Sequence, residues 1–346
     1  MRYTCKISSQ VDEDHWNDLI GKSPQTTIFQ TVRWARFMKE FLHATPYYIT
    51  ALEGTEPVGF AFMIKECRYS RYIRRRPMWQ VAVPLMKLAA PFYRMEYGPI
   101  VLERYKDHGA EILNAIVRSI ESIAKMRPFG VIEITPPVIG NSLRDEYMIC
   151  LLEHGFSLQN HATFVIDLSK DLDELWEGLK KPVRKNIRRT GKKGVEVEIR
   201  NDEEAVRIYA QLLEEEKKRQ GRRVPFSNLY ENISIKTKYL SKDQFAILLA
   251  KHNDRYISGI SILAFNGIIS EMAVANTSYA LENKIYAQDV LKWKIMEWGN
   301  KNNQKYYDLT GVSPSPKTEK EEGVYRFKEK WGGEFIKYGI YKKGLS

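Results

Sequence analysis

Residues 245–265, FAILLAKHNDRYISGISILAF, read as two apolar strands joined by a polar turn, a β-hairpin. The same plan occurs earlier in YYITALEGTEPVGFAFMI (47–64), where Gly54 and Pro57 mark the turn and Gly59 is placed much as Gly259 is. After the second hairpin, SEMAVANTS (270–278), a helix near 286–302 and KYYDLTGV (305–312) give strand, helix, strand. After the first, EYGPIVL (96–102), a helix over 107–126 and FGVIEITPP (129–137) give the same order, with Ile112, Ile116, Ile120 and Ile123 on one helical face. Upstream, VDEDHWNDLI (11–20) and LDELWEGLKKPVRKNIRRT (172–190) match as helices with an acidic start and a central Trp16 or Trp176, and a further helix is expected over 31–42.

A repeat of about 175–200 residues points to two copies of one domain rather than one large sheet. The expected fold class is α/β (α+β): two tandem domains, each a mixed twisted sheet flanked by helices with right-handed crossovers. The boundary falls near 150–165. The N-terminal domain is placed at 1–155, with about 336–346 packing back on it, and the C-terminal domain at 156–335, with a basic helix over 175–193 and a lid loop over 311–326.

The chain has 346 residues, with 54 Lys and Arg against 43 Asp and Glu, a formal charge of +11 that favours a polyanionic partner. Three cysteines (Cys5, Cys67, Cys150) without CxxC spacing, and histidines without HxH or HExxH, predict no disulfide framework, no metal centre and a reducing compartment. No window of about 18 apolar residues predicts a membrane span, and the early acidic residues predict no signal peptide. Basic residues at 65–76 beside Trp79, Leu85, Leu88 and Phe92 form a candidate peripheral membrane contact over 68–94, with a solvated hairpin tip as the alternative.

Residues 180–193, KKPVRKNIRRTGKK, carry eight basic side chains. On one helix Lys181, Lys185, Arg188 and Lys192 share a face opposite Leu175, Leu179, Val183 and Ile187. With Arg184 they form a candidate face for tRNA or other phosphates; a solvated surface is the alternative. A helix ending at Gly221 adds Arg219. No GxSxG, Walker loop or dinucleotide fingerprint is present. That leaves chemistry asking little of the protein, such as acyl transfer to an amine, where the substrate supplies the nucleophile. In KYYDLTGVSPSPKTEKEEGVYRFKEKWGGE (305–334), a strand end presents Asp308 and a closing loop brings Lys328 to it. An Asp before Thr-Gly also commonly bonds only loop amides.

The run NIRRTGKKGVEV (186–197), the segment 272–302, and YYDLTGV followed by GVYRFKEKWGGE resemble the FemABX family. The resemblance is strongest over about 175–340 and extends to FQTVRWARF (29–37) and YGPIVL (97–102). It implies two tandem GNAT-like domains and transfer of an aminoacyl group from aminoacyl-tRNA to an amine of a peptidoglycan or other cell-envelope precursor. No cofactor is implied beyond the acyl donor, and a cytoplasmic monomer at the inner membrane face suffices. The family's Phe-Lys pair falls on Phe327 and Lys328, with Lys328 engaging the donor end or the developing charge. Asp308 or Glu334 is the candidate proton acceptor. Arg36 and Arg219 are expected to hold an anionic nucleotide- or lipid-linked acceptor, beside Tyr97, Glu103 and Tyr230.

Departures bear on the substrates. Phe226 stands where peptidoglycan enzymes of the family carry an arginine, four residues before the counterpart of Tyr230, which counts against a muramyl-peptide acceptor. No Q/RxxGxG/A loop lies between Ala275 and Leu291, which favours acyl-tRNA over acyl-CoA. The alternatives are an acyl-CoA-dependent N-acyltransferase modifying polysaccharide or lipid, and a non-catalytic RNA-binding protein on the same scaffold.

Overall fold

Short capped helices and apolar strands alternate from the start of the chain. Helix α1 (Glu13–Gly21) follows strand β1 (Tyr3–Ser8) and begins where the Asp12 carboxylate accepts from the His15 amide at 2.9 Å. Glu13 and Asp14 face the positive end of its dipole, and Trp16, Leu19 and Ile20 are buried. Helix α2 (Val32–Leu42) is capped by Thr31 and stops at His43, which takes a left-handed conformation. The computed structural model describes residues 2–67, 85, 87–125 and 129–345. Most of the candidate membrane-contact stretch at 68–94 therefore lies outside the described residues.

The chain divides into two units, Met1–His161 with Tyr338–Ser346, and Ala162–Lys337. In the first, β1, β2 (Thr45–Glu53), β3 (Glu56–Cys67) and β4 (Pro91–Glu96) pair antiparallel in that order. Strand β5 (Ile100–Val101) pairs with β3, and β4 runs parallel to β6 (Val131–Thr135) after a crossover through helix α3 (Gly109–Ala124). The strand opening this β-α-β unit is thus 91–96 and not 96–102. Beyond Glu96 the chain turns through Tyr97 at positive φ and a cis Gly98–Pro99 bond, so 100–101 joins β3 instead. Helix α4 (Arg144–Glu153) follows. The sheet is completed by the end of β13 (Glu334–Gly344), whose residues 341–344 pair antiparallel with β6. Ile49, Met63, Met95, Ile112, Ile116, Ile120, Ile132 and Ile134 form the core.

The second unit holds part of β7 (Ser157–Asp167), α5 (Leu172–Gly178), α6 (Lys181–Lys192), β8 (Glu196–Arg200), α7 (Glu203–Arg219), α8 (Phe226–Tyr239), β9 (Phe245–His252), β10 (Arg255–Phe265) and β11 (Ile268–Asn276). Then come α9 (Ser278–Glu282), α10 (Ala287–Lys301), β12 (Tyr306–Val312) and α11 (Glu319–Glu329). Its strand order is β7-β12-β11-β10-β9-β8, with β11 and β12 parallel and the other neighbours antiparallel. Position by position, β8, β9, β10, β11 and β12 repeat β1, β2, β3, β4 and β6, and β7 stands where the first unit has β13. Each unit has the mixed strand plan flanked by helices that the repeat predicts, although all the strands belong to a single 13-stranded sheet and not to separate ones. Gly59 and Gly259 both sit under packed neighbours, with 2.7 Å from an added Cβ to the Ile100 carbonyl oxygen and 2.8 Å to the Tyr209 ring.

Three expectations change. The counterparts of α1 and α2 are α7 and α8, which lie between β8 and β9, so 172–190 does not repeat the Trp16 helix. That stretch is two helices: α5 ends at Leu179 in extended backbone, and Pro182 starts the first turn of α6, where a missing N–H costs nothing. Third, the second half of the lid loop expected over 311–326 is helical. Thr318 caps α11 by accepting from the Glu321 amide at 3.2 Å, three acidic residues fill its first turn, and Arg326 and Lys328 fill its last. Phe327 and Lys328 therefore lie on a helix, and its last turn, not a closing loop, carries Lys328.

After α11 the chain turns at Gly332, with φ +75 and an added Cβ only 2.4 Å from the Gly178 carbonyl oxygen. Gly332→Ala combines a left-handed backbone penalty with a clash against backbone and is expected to destabilise the protein by about 2–4 kcal/mol, read by thermal or denaturant unfolding.

Candidate functional site

The site is built where a parallel ladder stops. Residues 268–270 of β11 pair with 306–308 of β12, and there the pairing ends. Strand β12 continues against β7 with a register shift between Asp308 and Gly311, made by Thr310 at φ +63. A non-glycine residue in that region needs support. Asp308 supplies it: its Oδ1 accepts from the Thr310 amide at 2.8 Å and from the Thr163 hydroxyl at 2.5 Å, and the same hydroxyl lies 2.7 Å from the Thr310 carbonyl. Burial pushes the Asp308 carboxyl above its usual range, against the pull of these hydrogen bonds. Asp308 therefore shapes the loop whose carbonyls hold Lys328.

Helix α11 delivers Lys328. Tyr325 packs edge-on against Phe164 and Phe335, seating the helix. The Lys328 Nζ donates to the carbonyls of Thr310 at 3.2 Å and Gly311 at 3.1 Å, and the side chain is only 9% exposed. Two of the three N–H groups of an ammonium are spent in this way; among the described residues none takes the third. Burial lowers the Lys328 pKa, the Glu271 carboxylate opposes that shift, and the Lys292 ammonium adds to it.

Beside it lies a buried charge cluster. Glu271, the first β11 residue past the parallel ladder, accepts on Oε2 from the Tyr307 hydroxyl at 2.6 Å and from the fully buried Lys292 of α10. Burial lowers the Lys292 pKa and raises that of Tyr307. The Phe327 ring has the Lys330 Nζ 4.2 Å and the Lys292 Nζ 5.5 Å from its centroid. Glu271, Lys292, Tyr307 and Thr163 were not singled out in the sequence. The available signal was charge inside apolar runs, Glu271 in IISEMAVA and Lys292 in VLKWKIM, where a charged side chain needs a partner.

The remaining candidates divide between the units. In the second, Lys181, Arg184, Lys185, Arg188 and Lys192, with Arg189 and Glu177, line a groove of about 650 Å³ along α6. Arg184 is paired with Glu177, and Arg188 lies 5.2 Å from the Trp176 ring. Arg219 ends α7 and holds Glu216 at 2.5 Å; Tyr230 on α8 bonds Glu203 at 3.2 Å and stacks on Phe226. Glu334 opens β13 exposed and, among the described residues, takes no part in the Asp308 network. In the first unit, Arg36 on α2 pairs with Glu13 at 2.8 Å, Tyr97 stacks on Phe29, and exposed Glu103 pairs with Lys106. Lys328, Asp308 and Phe327 thus come together with unforeseen partners, while among the described residues Arg219, Tyr230 and Glu334 share no hydrogen bond or ion pair with them. Among the described residues no group of His, Cys, Asp and Glu could hold a metal ion, and no helix is long and apolar enough to cross a membrane.

Two units of matching mixed strand order define a tandem GNAT-like architecture. Residues 270–339 match the FemAB family model. The chain is similar in structure to the crystal structure of FemX, with TM-score 0.72, 17% identity and 96% of each chain covered. It also resembles a tandem GNAT protein from the clavulanic acid biosynthesis pathway, with TM-score 0.54, 12% identity and 99% of each chain covered. A third is a conserved protein of unknown function from Bacteroides thetaiotaomicron, with TM-score 0.55, 10% identity, and 98% of this chain and 100% of that one covered. No curated protein matches. The FemABX resemblance is borne out by the family model over residues 270–339, and the fold is that of the FemX crystal structure.

Asp308→Ala takes the acceptor from the Thr310 amide and leaves the Thr163 hydroxyl with only the Thr310 carbonyl, and is expected to cost about 1–3 kcal/mol in denaturant unfolding. Because burial lowers the Lys328 pKa, a step needing its ammonium runs fully below that value and fails as pH rises through it. The rate–pH profile should fall at a pH below that of an ordinary lysine.

Proposed function

We propose that the chain transfers an aminoacyl group from aminoacyl-tRNA to an amine of a cell-wall or cell-envelope precursor. The observation that carries this reading is Lys328, buried in the FemAB-matching segment, with two N–H groups fixed on backbone carbonyls and the third unclaimed among the described residues. The amine nitrogen bonds to the acyl carbon, negative charge develops on the carbonyl oxygen, and the bond to the donor's terminal ribose oxygen breaks. The amine gives up one proton and the leaving oxygen gains one. Lys328 faces the developing oxyanion, the largest single contribution a protein makes to such a reaction. The basic groove on α6 takes the donor's phosphates.

Mass spectrometry of the protein with charged tRNA, acyl-CoA and candidate amines tests this. The expected result is an acceptor mass raised by one aminoacyl residue, with charged tRNA only. A gain with acyl-CoA instead moves the donor, and no gain with either leaves an RNA-binding protein. Lys328→Ala is expected to lower kcat by about 100-fold or more with tRNA affinity unchanged. A folded variant with full activity would remove the assignment.

A further inference from the structure

Helix α6, which lines the basic groove, and the end of α11, which carries Lys328, meet on one buried carboxylate. Asp289 lies in the first turn of α10 and is only 2% exposed. Its Oδ2 accepts from the Asn186 amide of α6 at 2.8 Å, and its Oδ1 accepts from the Lys330 ammonium at 2.7 Å. Asn186 sits between the groove residues Lys185 and Arg188, and Lys330 is two residues beyond Lys328. The contact is reinforced where α6 begins: the Lys180 amide donates to the Lys330 carbonyl at 3.1 Å, and the Lys180 ammonium meets Glu329 at 2.7 Å.

From this geometry we infer that Asp289 is a positioning residue that couples occupancy of the α6 groove to the placement of Lys328. Any shift of α6 toward a bound polyanion pulls on Asn186, and a buried carboxylate cannot release either donor without leaving a polar group unpaired. The shift is therefore passed to Lys330 and the last turn of α11. The exposed Lys180–Glu329 pair is screened and adds little. This rests on the reading of the groove as a phosphate site.

The chemistry of the contact sorts two variants. Asp289→Leu removes both acceptor oxygens, so Asn186 and Lys330 lose their partner. Asp289→Asn keeps the contact, because the Asn186 side-chain amide can turn over and accept from the new amide while the carbonyl oxygen at 289 still accepts from Lys330.

A short RNA hairpin serves as the polyanion. Its affinity is measured by filter binding, and amide exchange of peptides covering 319–331 is followed by mass spectrometry with and without it. In the unaltered protein the hairpin is expected to slow exchange in this segment by about fivefold, the scale of an ordinary coupling. In Asp289→Leu the hairpin should bind within about twofold of the unaltered affinity but lose that protection, and Asp289→Asn should keep it. Binding without protection in the unaltered protein overturns the coupling, as does protection that survives in Asp289→Leu or is lost in Asp289→Asn. Absence of hairpin binding overturns the groove reading and the coupling with it, whereas transfer activity is scored separately and bears only on the donor and acceptor.

Discussion

A parallel strand pair that parts midway leaves main-chain and side-chain polar groups facing an interior without water, and each must find a partner. In the second unit β11 and β12 part after residues 270 and 308, and the space between them is held by charge. Glu271 on one strand gathers Lys292 and Tyr307, while Asp308 on the other gathers Thr163 and the amide of Thr310. The carbonyls that this second knot turns outward are the ones that hold Lys328.

Buried ion pairs of this kind contribute little net stability compared with an apolar filling, yet removing one partner leaves a charge stranded, at a cost of about 3–5 kcal/mol. Lys292 and Glu271 therefore act as a constraint on arrangement. Lys292, Lys328 and Lys330 are matched in number by Glu271, Asp308 and Asp289, and Lys328 sits where burial works against its charge. An oxygen bearing negative charge beside Lys328 would offset the cost of burying its ammonium, which favours an anionic species over a neutral one there.

Much of the fold could be read from the chain because hairpins and β-α-β units have local signatures. Gly59 and Gly259, and the isoleucine stripe of α3, carry periodicity that survives in the folded core. The readings that failed turned on short-range competition. Leu179 and Lys180 lie in a run of good helix character, but Pro182 favours a fresh start, and α5 and α6 separate there. Residues 319–329 looked like loop because Glu and Lys outnumber apolar residues; the cap at Thr318 and the charge order along the helix were the legible signs. Lys328 and Asp308 were visible as residues, but Glu271, Lys292 and Asp289 were not, because their meaning lies in partners distant in sequence.

The placement of β13 has a consequence for how the protein is made. The first unit's β6 ends at Thr135, and the stretch of β13 that covers its edge starts at Tyr341, about 200 residues later. At ordinary rates of synthesis β6 waits about 10–40 s with one edge uncovered, while the whole second unit emerges from the ribosome. An open edge is a template for foreign strands. The N-terminal half is thus the first to be synthesised and the last to be closed, and a ribosome that stalls in the second half releases a chain whose first sheet is unfinished.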